Sequence, residues 1–105
     1  MSRTLERLEA TIAARRAADP GSSYVASLFG KGLPKIAQKV GEEATETVIA
    51  ALSGSDEELV GEAADLLFHL AVLLAAKGLT LDQVLAELDR REGTSGITEK
   101  ASRSE

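Results

Sequence analysis

The 105-residue sequence contains no cysteine. Disulfides and thiolate metal sites are therefore excluded. Aromatic side chains are scarce, with one tyrosine and two phenylalanines. The core must therefore be aliphatic, built from Leu, Val, Ile and Ala, and Ala and Leu are strong helix formers. No apolar stretch follows Met1, so no secretory signal is expected. The longest apolar run, Leu66 to Ala76, is interrupted by His69 and is too short to span a bilayer. The expected compartment is the cytoplasm, with no membrane partner. Positive charge is also in deficit, with 12 Lys and Arg against 17 Asp and Glu and a formal net charge of −5. A binder of nucleic-acid backbone needs a basic face, so nucleic acid is not an expected partner. A phosphorylated small molecule remains compatible, because acidic residues can bind one through a cation.

What is present reads as helix. The length fits one domain, residues 1–93, followed by a small polar tail, residues 94–105, expected to be disordered. Leu5, Leu8 and Ile12 share one face of a helix over Thr4 to Ala18, which Asp19-Pro20-Gly21-Ser22 stops. A short helix is predicted over Ser23 to Phe29, with Gly30-Lys31-Gly32 as a turn. A third starts near Leu33 with Pro34 in its first turn and ends at Gly54, read as a C′ glycine. Ser55 with Glu58, and Thr80 with Gln83, are capping-box patterns. They open a fourth helix that ends at Gly78 and a fifth, burying Leu81, Val84, Leu85 and Leu88, that ends at Gly93. The predicted fold is all-α, a compact bundle of about five helices. From Leu66 to Ala76 the fourth helix is apolar nearly all round, which marks burial on several sides. A chain this small can hardly cover it, so a homodimer packed through this helix is expected.

The chemistry lies in residues 35–46. On a helix advancing about 100° per residue, with Glu42 at zero, Glu46 falls near 40°, Glu43 near 100°, Lys39 near 60° and Lys35 near 20°. The apolar Leu33, Ile36, Val40, Ala44 and Ala51 fall at roughly 120° to 200°. On the next helix Glu58, Glu62, Asp65 and His69 make a second stripe within about 60°. Antiparallel packing would set the two stripes face to face. Clustered carboxylates raise one another's pKa, and a bound cation resolves that conflict. All-oxygen ligands select a hard ion, Mg²⁺ or Mn²⁺. Such ions polarise phosphoryl oxygens and activate water, while Lys35 and Lys39 are placed to hold phosphate.

Plainer readings compete. An E-E-x-x-E on a helix is usually a solvated face, and Lys39 with Glu43 a routine i,i+4 pair. Two acidic stripes on successive helices, one of them apolar, favour function. Gly41 in mid-helix either lets a helix or phosphate approach or is simply tolerated. His69 reads first as a satisfied core or rim histidine, and Arg15 and Arg16 as solvated helix-end charges. Gly30-Lys31-Gly32 lacks the P-loop pattern. A ferritin-like di-metal site calls for Glu-x-x-His pairs, but Leu66 stands at that spacing before His69.

The run Lys39-Val40-Gly41-Glu42-Glu43-Ala44-Thr45-Glu46, followed by Glu62-Ala63-Ala64-Asp65-Leu66-Leu67-Phe68-His69-Leu70, closely resembles the phosphoribosyl-ATP pyrophosphohydrolases. Ser23-Tyr24, Leu28, Gly32, Lys35, Ile36 and the stretch Leu79 to Arg91 fit the same family, so the resemblance covers roughly Leu5 to Arg91. The E-E-x-x-E and E-x-x-D pair alone marks only the wider all-α MazG-like superfamily of nucleotide pyrophosphatases. The resemblance implies a dimeric, Mg²⁺-dependent enzyme of histidine biosynthesis, cutting phosphoribosyl-ATP to phosphoribosyl-AMP and pyrophosphate. It implies metal ligands at Glu42, Glu43, Glu46, Glu62 and Asp65, with Glu43 and Glu46 also candidates for catalysis. Ser23, Tyr24, Lys31 and His69 are candidate substrate contacts. Val25 stands where the family often has Thr, and Phe68 where Tyr is common. The alternatives are a related (d)NTP pyrophosphatase, which the Ser23-Tyr24 segment argues against, and a non-enzymatic acidic interaction module, which a Mg²⁺ titration would separate.

Overall fold

Short polar residues set the helix ends. Ser23 Oγ accepts from the Ala26 N–H at 3.2 Å. Ser55 with Glu58 and Thr80 with Gln83 both close reciprocal capping boxes, satisfying amide groups that a helix start leaves unpaired. A computed structural model describes residues 3–92. Its helices are α1 (Arg3–Arg15), α2 (Tyr24–Lys31), α3 (Leu33–Ser53), α4 (Asp56–Ala76) and α5 (Leu81–Arg91). No strand occurs among the described residues. Gly93 and the predicted tail lie outside them.

Several boundaries differ from the sequence reading. Helix α1 stops at Arg15, because Asp19 gathers the chain into a turn. Its carbonyl accepts from the amides of Ser22 and Ser23 and its carboxylate from that of Gly21. Helix α2 runs through Gly30 and Lys31, and only Gly32, at φ +91°, makes the turn into α3. Gly78, at φ +73°, ends α4 as predicted. The Gly78 amide bonds the Ala75 carbonyl and the Leu79 amide the Leu74 carbonyl, the paired bonds of a Schellman motif. Gly54 is different, since its φ of −103° is open to any residue. A Cβ there would lie 3.0 Å from the Ala50 carbonyl oxygen, so Gly54 answers a close approach. At Gly41 a Cβ would meet nothing within 4 Å, so no neighbouring helix requires that glycine.

The core is aliphatic and draws on all five helices: Ile12, Val25, Leu28, Ile36, Ala71, Val72 and Leu81. Helices α3 and α4 form an antiparallel hairpin and make the most extensive contact in the chain. Helices α1 and α2 cover one end of it. At the other end the hairpin carries Val48, Ile49, Leu52 and Val60 into solvent, with Leu52 83% and Val60 69% exposed. The uncovered apolar surface is thus centred beyond the predicted Leu66 to Ala76 stretch, where His69, Ala71 and Val72 are buried and Leu67 is exposed.

Helix α5 also departs from expectation. Leu81 is buried, but Val84 and Leu88 are exposed. The helix is anchored by its first turn, where the Leu81 amide donates to Glu9 at 2.8 Å. Arg16 is exposed, as expected of a solvated charge, but it also has partners: its guanidinium donates to the Ala75 carbonyl at 3.2 Å and stacks on Phe29, 4.3 Å from the ring centre. Helix α4 is long and apolar enough to cross a membrane by length and composition alone. It packs against α3 and α1, with 17% of its apolar window buried.

Candidate metal centre

The face that α3 turns inward decides the site. Its buried residues are Ile36, Glu43 and Ala50, spaced seven apart and so stacked on one line of the helix. Glu43 therefore lies at the middle of the buried line and not at the edge of an acidic face. Across the hairpin stand Glu62, half-buried, and Asp65, exposed, one turn apart on α4. One carboxylate oxygen each from Glu43, Glu62 and Asp65 lie within 4.8 Å of one another.

Glu46 completes the group. It lies against both Glu43 and Glu62, near enough for a carboxyl–carboxyl hydrogen bond when one of a pair is protonated. Burial pushes the Glu43 carboxyl up and Glu46 adds to that, while His69 and Lys39 pull the other way. Glu62 is raised too, first because its protonated form can hydrogen-bond Glu46, then by burial, then by the charges of Glu46, Glu43 and Asp65. One oxygen of Glu43 and one of Glu62, both Oε2, are buried without a hydrogen-bond partner. Orphaned buried oxygens are rare in folded proteins, and clustered carboxylates repel. A divalent cation would answer both, so the residues present fit one. Beyond them an open cleft of about 220 Å³ runs along the hairpin past Glu46, Ile49, Ser53, Glu58 and Glu62.

Glu42, expected among the ligands, is not brought into this group. It sits about 100° round the helix from Glu43 and is exposed. Its carboxylate accepts from Gln38 at 2.7 Å and lies 3.4 Å from the Lys39 ammonium. The Gln38 bond, then Lys39 and Lys35, hold its pKa low. Gln38 escaped the sequence reading, although its i,i+4 spacing to Glu42 was a signal. Lys39 also lies 3.7 Å from Glu43, between the cluster and solvent. Burial works to lower its pKa, but Tyr24, Glu42 and Glu43 outweigh it and the ammonium is held above its ordinary value. Lys35 is half-buried one turn earlier, and Lys31 is exposed at the end of α2.

An aromatic corner adjoins the carboxylates. His69 is buried, and both ring nitrogens are engaged at 2.7 Å, Nδ1 with the Asp65 carbonyl and Nε2 with the Tyr24 hydroxyl. A carbonyl only accepts, so Nδ1 carries the proton. Nε2 and the tyrosine hydroxyl share the second bond. The Tyr24 and Phe68 rings stack, with centroids 6.0 Å apart and planes 23° from parallel. Ser23 is buried and its hydroxyl caps α2, so it fixes where Tyr24 stands. Val25 belongs to the core.

Two acid-bearing helices converging on one cation-sized gap are found in more than one kind of protein, and comparison decides between them. The profile of phosphoribosyl-ATP pyrophosphohydrolase matches residues 5–92. The chain belongs to that family. Among its relatives is the phosphoribosyl-ATP pyrophosphatase of Erythrobacter litoralis, 78% identical over 102 residues, which span 97% of this chain and 98% of that protein. That of Novosphingobium aromaticivorans is 74% identical over 100 residues, covering 95% and 94%. That of Rhodobacter capsulatus is 61% identical over 99 residues, covering 94% and 96%. The family is one of all-α, MazG-like enzymes that hydrolyse a phosphoric anhydride, and Glu43, Glu62 and Asp65 of this chain could hold a metal ion.

Proposed function

We propose that the chain hydrolyses phosphoribosyl-ATP to phosphoribosyl-AMP and pyrophosphate, a step of histidine biosynthesis, with Mg²⁺ as its cation and Mn²⁺ as a substitute. The observation that carries this reading is the meeting of Glu43, Glu62 and Asp65 within 4.8 Å, with two buried oxygens left without partners. Such oxygens suit a hard ion. Glu43, Glu46, Glu62 and Asp65 would hold it, and when bound it supplies charge to the phosphoryl oxygens and the leaving pyrophosphate. Water adds to a phosphorus of the triphosphate and the bond to the leaving pyrophosphate breaks. Glu43 and Glu46 would accept hydrogen bonds from that water and aim it. Lys39, held above its ordinary pKa, stays cationic and meets the phosphates, with Lys35 behind it. Glu42 serves by steadying Lys39.

A second copy of the chain is the proposed cover for Val48, Ile49, Leu52 and Val60. The radius of gyration is 15.7 Å, against about 13 Å for a compact chain of this size, as expected of a hairpin that extends beyond its own core. The reaction consumes a nucleotide, and the cytoplasm is its proposed compartment. The test is pyrophosphate release from phosphoribosyl-ATP and from dNTPs, with Mg²⁺ and with a chelator. Release from phosphoribosyl-ATP that is fastest and cation-dependent is the expected result. Equal or faster release from dNTPs would give the chain a different substrate.

A further inference from the structure

The carboxylates and lysines account for the phosphates of a nucleotide and leave its base without a partner. We infer that Tyr24 is the residue on which the base of the nucleotide stacks, with its ring against Phe68 and its hydroxyl bonded to His69. This rests on the phosphoribosyl-ATP reading for the identity of the nucleotide.

Three observations converge on it. The chain has only three Phe and Tyr residues and no tryptophan, yet two of the three, with the only histidine, gather at this corner. His69 stands edge-on to both rings, 5.7 Å and 80° from Tyr24 and 5.1 Å and 87° from Phe68. Edge-to-face and offset-stacked contacts are the favoured aromatic arrangements, so the three rings brace one another. Tyr24 is nevertheless 49% exposed, while the histidine that holds its hydroxyl is buried. An aromatic ring fixed from behind and open in front is what a base stacks on.

The position also fits. His69 follows Asp65 by one helical turn, bonds its carbonyl through Nδ1 and meets the Tyr24 hydroxyl through Nε2. A nucleotide whose phosphates meet Lys39 and the carboxylates thus has Tyr24 within its span.

Tyr24 is the only tyrosine, so its ring protons can be followed by NMR in the intact chain. Phosphoribosyl-AMP and AMP should shift them upfield, while inorganic triphosphate should leave them in place. Unmoved ring signals, with amides near Glu43 and Asp65 showing that the nucleotide is bound, would overturn the inference. So would equal shifts from triphosphate. In kinetics, Tyr24→Leu should raise KM about tenfold or more with little change in kcat and none in inhibition by inorganic triphosphate. Tyr24→Phe, which keeps the ring, should restore most of the loss. An unchanged KM in Tyr24→Leu contradicts the inference. Failure of the wild type to release pyrophosphate from phosphoribosyl-ATP would count against the reaction alone, because the AMP shift reads the platform independently.

Discussion

Replacing Glu43 by glutamine should change stability in opposite directions with and without cation. Glu43 is buried, has an oxygen without a partner and faces Glu46, Glu62 and Asp65. Glutamine keeps its shape, removes its charge and offers N–H donors to the neighbouring carboxylates. In chelator at neutral pH, Glu43→Gln should therefore melt above the wild type. With Mg²⁺ the order should reverse. A cation at about 100 times its Kd stabilises by about 2.7 kcal/mol, which for a domain of this size raises Tm by roughly 10–20 °C. Loss of one charged ligand that weakens the cation about tenfold leaves the variant at about 10 times its Kd. Its stabilisation is then about 1.4 kcal/mol, or roughly half the shift. Thermal unfolding followed by circular dichroism, at one fixed protein concentration, measures both arms. A Mg²⁺-induced shift of wild-type size in Glu43→Gln would remove Glu43 from the metal centre. A Tm below wild type in chelator would mean that the carboxylate is not strained there.

Lys39→Met should lower kcat/KM at least about tenfold, roughly 1.4 kcal/mol of transition-state stabilisation, with helix content and Mg²⁺ affinity by calorimetry retained; unchanged kinetics would return Lys39 to the solvated face. Gly41→Ala should stabilise α3 by up to about 1 kcal/mol, since a Cβ meets nothing there, whereas Gly54→Ala should destabilise because its Cβ meets the Ala50 backbone at 3.0 and 3.2 Å; denaturant midpoints compare the two. Without cation, Glu43 and Glu62 hold protons more tightly folded than unfolded, so their contribution should fall as pH rises from 4.5 through their raised values. Glu87, pulled down to about 2 by its hydrogen bonds to Arg90 and Arg91, acts in the opposite sense and loses its contribution only on acidification below 4.5, so melting curves in chelator above that pH isolate the site. Sedimentation at micromolar concentration should show a dimer, and Leu52→Glu should shift it towards monomer; a monomeric wild type would refute the proposed cover.

The sequence by itself determined that there are five helices, where α4 and α5 start and where α4 stops, because that information is local. A capping box closes over three residues, an apolar stripe repeats every three or four, and Ser55, Thr80 and Gly78 could each be read without knowing the rest of the fold. It also placed the acids on two neighbouring helices, and with them the family. Only the tertiary structure decided which way those helices face. A helical wheel gives angles between residues on one helix but not the direction of the neighbour. The buried line through Ile36, Glu43 and Ala50 depends on where α4 lies, and that line put Glu43 inside and Glu42 with Gln38 and Lys39 outside. The same holds for the bond between Tyr24 and His69, 45 residues apart. It exists because the core brings the start of α2 against α4, and no local pattern in the chain encodes that meeting.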